Sequence, residues 1–254
     1  MSKTIAVINQ KGGVGKSTTV VNLAAFFGLK NKTTLVLDID SQGNSTSGFG
    51  IKKKSVKNSS LDVILGKSNI KHSIIATECK NVSIIPATPD MAGADLLLQN
   101  LPARENRLSR QVSLVKDDYD FILIDCPPAL SLTTINGFCA SDSILIPMLC
   151  EYYSLEGLSQ LMETYKLVRS NYSPNLKIEG IVFTMADERL NVTKQVIREV
   201  EKYFPDKVFK TKIPRSVRLS EAPSYGKPCL YYDRYCKGSR AYEELGLEIL
   251  RRNI

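Results

Sequence analysis

Lys11-Gly12-Gly13-Val14-Gly15-Lys16-Ser17 lies between an apolar run, Ile5-Ala6-Val7-Ile8, and a helical apolar pattern from Val20 to Phe27. Strand, glycine loop and helix in that order are the setting of a phosphate-binding loop. Glycines let backbone N–H groups turn inward around phosphate oxygens, and the helix N-terminus adds partial positive charge. In such a loop Lys16 reaches the β- and γ-phosphates of a nucleotide and the Ser17 hydroxyl ligates Mg²⁺. Gly12, Gly13, Val14, Gly15 and Thr18 complete the expected cradle. The usual spacing, G-x-x-x-x-G-K-[ST], requires a glycine at position 10. This chain has Gln10 there and a second lysine, Lys11, one place later.

Two strand ends accompany the loop. Leu35-Val36-Leu37-Asp38-Ile39-Asp40 is an apolar run ending in carboxylates, followed by Ser41-Gln42-Gly43-Asn44. In open α/β sheets ligands gather at the carboxyl ends of strands, so Asp40 is placed to orient a water toward a γ-phosphate. Phe121-Ile122-Leu123-Ile124-Asp125 is a second apolar strand with a terminal carboxylate, stopped by Cys126-Pro127-Pro128. Its Asp125 is expected to hold Mg²⁺ through a water. Ser17, Asp40 and Asp125 are the expected metal set, and Lys11, Lys16 and Asp40 the expected catalytic set.

Strands are expected at Ile5–Asn9, Thr34–Asp38, Val82–Pro86, Phe121–Asp125, Ser143–Pro147, Ile178–Phe183 and Val208–Lys210. Helices are expected at Ser17–Phe27, Ala92–Val115, Ser131–Ala140, Leu155–Val168, Val192–Tyr203 and Ser239–Arg252. Near-continuous apolar strands alternating with helices predict an α/β fold with a doubly wound, mostly parallel sheet, as in P-loop NTPases. The length of 254 residues fits one domain, 1–254. Gly43–Ser60 is polar and reads as an ordered loop or switch.

No apolar run of 18 residues exists, so no membrane span is expected. The first strand begins at once, which leaves no room for a signal peptide. The six cysteines include no C-x-x-C pair and there is one histidine, so a structural zinc site is not expected and the thiols read as reduced and mostly buried. The net charge of +8 suits an anionic partner. Lys207, Lys210, Lys212, Arg215 and Arg218 crowd twelve positions without an acid. Arg189 follows a strand, and Lys52, Lys53, Lys54 and Lys57 form an alternative patch that reads as a solvated loop.

The loop in the form K-G-G-x-G-K-[ST] resembles the deviant Walker A motif of the ParA/MinD ATPases. Three further boxes extend the resemblance from Lys3 to about Leu250. Residues 38–44 match D-x-D-P-Q-G-N except for Ser41. Residues 147–158 match P-x-x-x-E-Y-x-x-L-E-G-L. Residues 213–223 match I-P-R-N-x-x-L-x-E-A-P except for Ser216. The resemblance implies an ATP hydrolase that uses ATP and Mg²⁺, slow and stimulated by partners. It implies that Lys11 reaches across an ATP-dependent homodimer to the partner's nucleotide. It places Glu151 near the nucleotide and the dimer contact, although Glu151 also reads as a helix-capping acid. It places Pro214 and Ser216 at the adenine base. Soj-type members bind double-stranded DNA non-specifically, and Arg189 and Arg218 stand at the positions that carry this role. A centromere-binding ParB-type protein is the implied partner, and a cytoplasmic, nucleoid-associated protein the implied setting. Two alternatives share the loop: a MinD-type membrane-linked division regulator, and an ATPase that positions protein cargo on the nucleoid. The tail from Tyr242 reads as a core-docked helix, so stable membrane association is not expected.

Overall fold

The computed structural model describes residues 2–253. Its strands are β1 (Lys3–Val7), β2 (Thr34–Asp38), β3 (Ile75–Ala76), β4 (Val82–Ile85), β5 (Phe121–Asp125), β6 (Ser143–Leu149), β7 (Lys177–Ala186) and β8 (Ile213–Pro214). All lie in one sheet, in the order β3-β4-β2-β5-β1-β6-β7-β8. Every pairing is parallel except β3 with β4. The helices are α1 (Lys16–Leu29), α2 (Asn44–Gly48), α3 (Ser60–Leu65), α4 (Ala94–Leu98), α5 (Arg107–Val112), α6 (Leu132–Cys139), α7 (Tyr153–Asn171), α8 (Asn191–Tyr203), α9 (Val217–Glu221), α10 (Cys229–Tyr232) and α11 (Lys237–Arg252).

Both sheet faces are covered, which is why the central strands are apolar at nearly every position. On one face α1 and α11 pack Leu23, Phe26, Phe27, Tyr242, Leu245 and Ile249 against Ile5, Val36 and Leu123. On the other, α5 to α8 bring Leu108, Phe138, Leu161 and Val196 onto Ile122, Ile124 and Ile146. The α1–α11 contact is close. A Cβ built at Gly246 would lie 2.2 Å from the Phe26 ring. Alanine normally favours a helix over glycine, but here it overpacks the contact. Gly246→Ala is therefore expected to cost about 1–3 kcal/mol. Urea unfolding checks this, and an unchanged midpoint would show slack between α1 and α11.

Register positions the site. Asp125 is paired with Val7 on one side and with Asp38 on the other. Three strands thus end level, and the loops that follow them meet at one edge of the sheet.

The structure adds four short helices to the expected elements, α2, α3, α9 and α10, with α2 inside the expected loop from Gly43 to Ser60, and it changes others. The helix expected over Ala92–Val115 is broken into α4 and α5. Pro102 has no N–H to give, and Ala103 is left-handed with φ 49°, so the intervening segment turns instead. The strand expected at Val208–Lys210 is only a bridge from Val208 to Ile181. The Glu248 carboxylate captures the N–H groups of Lys210 and Thr211, at 3.0 and 2.7 Å, and takes them from the ladder. The edge strand β8 forms three residues later. Finally, the sheet carries a two-residue antiparallel edge, β3, too short to leave a periodic signal. The tail does dock as a helix, with Tyr242, Leu245 and Ile249 buried.

Candidate functional site

The loop after β1 is held by its neighbours. Asn9 donates its amide to the Pro147 carbonyl at 2.7 Å and accepts the Lys11 N–H at 3.0 Å. The Thr184 hydroxyl, at the end of β7, donates to the Val14 carbonyl at 2.8 Å. Gly13 and Gly15 have φ of 75° and 86°, values that only glycine adopts freely. A Cβ at Gly12 or Gly13 would meet nothing, so the loop's inner side is open space. Gly15 caps α1 through its backbone alone, leaving that helix's first N–H groups aimed at the same space.

A cleft of about 390 Å³ opens there. Gly12, Gly13, Gly15, Lys16, Ser17, Thr18 and Asp40 line it. Val14 is buried behind the loop, where it holds Thr184. The Lys16 amine is buried and donates to the Lys11 carbonyl at 3.2 Å. Burial lowers its pKa, and the carboxylates of Asp125 and Asp40 pull the other way. The site therefore places a cation next to acids in a partly desolvated cleft.

Asp38, Asp40 and Asp125 separate into distinct tasks. Asp38 accepts the N–H and hydroxyl of Thr46 at 2.8 and 2.7 Å and the Asp40 N–H at 3.2 Å. Thr46 in turn accepts the Ala87 N–H. Asp38 is thus a fully buried anchor for the loop after β2. Asp40 faces the cleft and accepts the Gln42 N–H at 2.9 Å. Asp125 accepts the Ser45 hydroxyl at 2.7 Å through one oxygen. Its other oxygen, Oδ1, is buried without a hydrogen-bond partner. Burial pushes the Asp125 carboxyl up, while the hydroxyls of Ser45 and Ser17 favour its ionised form. An orphaned carboxylate oxygen near the Ser17 hydroxyl is a hard-oxygen donor set, which fits Mg²⁺.

Four expected residues stand apart from this cleft. Lys11 turns outward, and its amine pairs with the Glu151 carboxylate at 2.5 Å. Glu151 is exposed, and its side chain meets Lys11 rather than capping α7. Pro214 and Ser216 line a neighbouring open cleft, with Ser216 buried beside Gly238. The wall beside the phosphate loop comes instead from Met185, Leu219, Ala222, Pro223, Lys227, Pro228 and Cys229. Asn22 fixes that wall: its amide donates to the Thr18 carbonyl at 2.9 Å, and its oxygen accepts the Cys229 N–H at 2.9 Å. The segment from Ile213 to Pro223 thus borders both clefts, Pro214 and Ser216 on the neighbouring one and Ala222 and Pro223 on this wall. Asn22, a polar residue within Val20-Val21-Asn22-Leu23, was the available signal for the tether.

The second cleft gathers Arg189, Arg215, Arg218 and Lys237 from three separate segments. Acids stand among them. Arg189, 89% exposed, holds Asp187 at 2.6 Å. Arg218 holds Glu221 at 2.8 Å and Asp233 at 3.3 Å. Of the lysines at 52–57, Lys53 donates to the Gln42 carbonyl, so this loop is tied to the segment after β2.

Comparison with known proteins places this geometry. The family described as AAA domain matches residues 2–178. The sporulation initiation inhibitor protein Soj of Bacillus subtilis is 51% identical over 98% of both chains. The chain belongs to the Soj/ParA family of P-loop ATPases. The chromosome partitioning protein ParA of Myxococcus xanthus is 46% identical over all of this chain and 89% of its own. Among solved structures, one described as a cobyrinic acid a,c-diamide synthase of Mycobacterium smegmatis, with bound ADP and magnesium, superposes with a TM-score of 0.87. It is 30% identical and covers 99% of this chain and 95% of its own. The mostly parallel sheet with helices on both faces is the fold expected of Soj/ParA proteins.

Proposed function

We propose that this chain is a partition ATPase: it binds ATP with Mg²⁺, pairs with a second copy, and in that state holds double-stranded DNA. The observation that carries this reading is the division of the two loop lysines. Lys16 lines the cleft with Asp40, whereas Lys11 lies outside its own cleft and faces solvent and Glu151. A lysine so placed serves a nucleotide held by another copy. Tyr152 and Tyr153, 75% and 78% exposed beside Glu151, offer that copy an aromatic contact.

In this mechanism the Gly12–Thr18 backbone and Lys16 hold the phosphates. Asp40 orients the attacking water. Ser17 and Asp125 would hold Mg²⁺, which supplies charge neutralisation at the phosphate oxygens. Lys11 of a second copy neutralises the remaining charge, and hydrolysis is slow until partners assemble the site. A centromere-binding ParB-type protein is the partner this reading assigns. Size exclusion with ADP, with ATP, and with ATP on the Asp40→Ala variant tests it; a monomer in all three would contradict it.

Arg189 and Arg218 are assigned to DNA phosphates, without base readout. Each of Arg189→Ala and Arg218→Ala is expected to weaken binding uniformly across sequences and to reduce the log–log salt slope by about one. Anisotropy titrations of a labelled duplex from low to physiological salt check this, and an unchanged slope would remove that arginine from the interface.

The partition reading is favoured over the MinD-type one by α11. Its apolar side chains Tyr242, Leu245 and Ile249 are buried in the core, which leaves the helix no comparable face for a membrane. Among the described residues no helix is long and apolar enough to cross one.

A further inference from the structure

All six cysteines are free, and two of them meet. Cys229 is the first residue of α10 and Cys236 caps the N-terminus of α11. Their sulfurs lie 3.5 Å apart. The turn between them is held by its own bonds. The Asp233 carboxylate accepts the N–H groups of Tyr235 and Cys236, each at 3.2 Å, and the Asp233 N–H donates to the Cys229 carbonyl at 2.8 Å. The bonds of this turn therefore hold the two cysteines close in the backbone.

Their surroundings differ. Cys229 is 1% exposed and forms part of the nucleotide cleft wall. Cys236 is partly exposed and opens into the neighbouring cleft, where a small oxidant reaches it from solvent. The Cys236 sulfur accepts the Ser239 N–H at 3.4 Å, a donor at a helix N-terminus that favours a thiolate. Partial burial works against ionisation of Cys236, but the hydrogen bonds around its sulfur, with the Ser239 and Gly238 N–H groups among the donors, outweigh it and hold its pKa below the ordinary thiol value. Burial pushes Cys229 the other way, up to about 12.

We propose that Cys236 and Cys229 form a peroxide-oxidisable dithiol, in which Cys236 attacks the oxidant and Cys229 resolves the product to a disulfide. With hydrogen peroxide as the oxidant, the Cys236 thiolate attacks one oxygen. The S–O bond forms, the O–O bond breaks, and hydroxide leaves, giving the sulfenic acid. The Cys229 sulfur then attacks the Cys236 sulfur. The S–S bond forms, the S–O bond breaks, and the departing hydroxide takes the Cys229 proton as water. Two thiols are oxidised and one peroxide is reduced. The bond joins the wall of the nucleotide cleft to the start of α11, and a dithiol reductant reverses it.

Trypsin cuts after Arg234, between the two cysteines, so the product has a distinctive form. After hydrogen peroxide and alkylation of the folded protein, unreduced digestion is expected to yield Tyr235–Lys237 linked to the peptide bearing Cys229. Dithiothreitol should release the pair. Before oxidation, Cys236 should alkylate roughly tenfold faster at neutral pH than Cys79, Cys126, Cys139 or Cys150, whose thiols burial pushes up. In Cys229→Ser the chemistry should stop at the sulfenic acid, which dimedone traps on Cys236. Two wild-type results overturn the proposal whatever the variant does: no linked peptide at a peroxide dose that oxidises Cys236, or Cys236 alkylating no faster than the buried thiols.

Discussion

Lys11→Ala is expected to lower ATP turnover about 100-fold or more. The affinity for ATP should change less than about threefold, because the ion pair lost is exposed and worth little. The two parameters separate because Lys11 does not line the cleft of its own chain. Mixing gives the sharper measurement. Lys11→Ala and Asp40→Ala subunits are each expected to be nearly inactive alone. In a heterodimer, the site that keeps Asp40 receives Lys11 from the other copy. An equal mixture should therefore recover roughly a quarter of the wild-type rate, since half the dimers are mixed and each has one working site. A mixture no faster than either parent would show that Lys11 acts within its own chain, and a Lys11→Ala rate near wild type would remove it from the chemistry.

Asp40→Ala is expected to cut hydrolysis by about 10²–10⁴-fold, the range for losing a group that positions or accepts a proton. The fold should survive, because the loop after β2 is anchored by Asp38 and Thr46 rather than by Asp40. ATP should still bind and pair the subunits, so the variant accumulates as the ATP-bound dimer. Single-turnover hydrolysis and size exclusion on the same sample check both halves. Hydrolysis within a few-fold of wild type would assign water positioning elsewhere, and Asp38 is too buried to take it over.

That the Gly12–Thr18 loop and Asp40 share one cleft was legible because these residues are set by local sequence. Lys16 and Ser17 close the loop motif and open α1, Asp125 ends β5, and Asp40 stands two residues past the end of β2, whose Asp38 is level with Asp125. The other wall was not legible. Met185, Leu219 and Cys229 come from separate segments and are joined only by the tertiary fold, with Asn22 tying Cys229 to α1. Asp38 resembled Asp40 in sequence, and only Thr46, eight residues on, distinguishes an anchor from a cleft-facing carboxylate. The acids that hold Arg189 and Arg218 divide in the same way: Asp187 and Glu221 stand beside their arginines in the chain, just outside the acid-free stretch from Lys207 to Arg218. Only Asp233, which follows α10, is brought to Arg218 by the fold.

Those acids bear on how the protein would grip DNA. Asp187 already occupies Arg189, and Glu221 and Asp233 occupy Arg218, so a phosphate arriving at either replaces one anion with another. In water such an exchange gains little. A single copy would hold a duplex weakly. Two copies joined face to face would present both sets at once, the second engaging at a high effective concentration, and avidity alone can raise affinity by about 10²–10⁴-fold. Under the proposed reading the hold on DNA is governed by the number of subunits in hand, and when the duplex leaves, each arginine returns to a carboxylate already beside it.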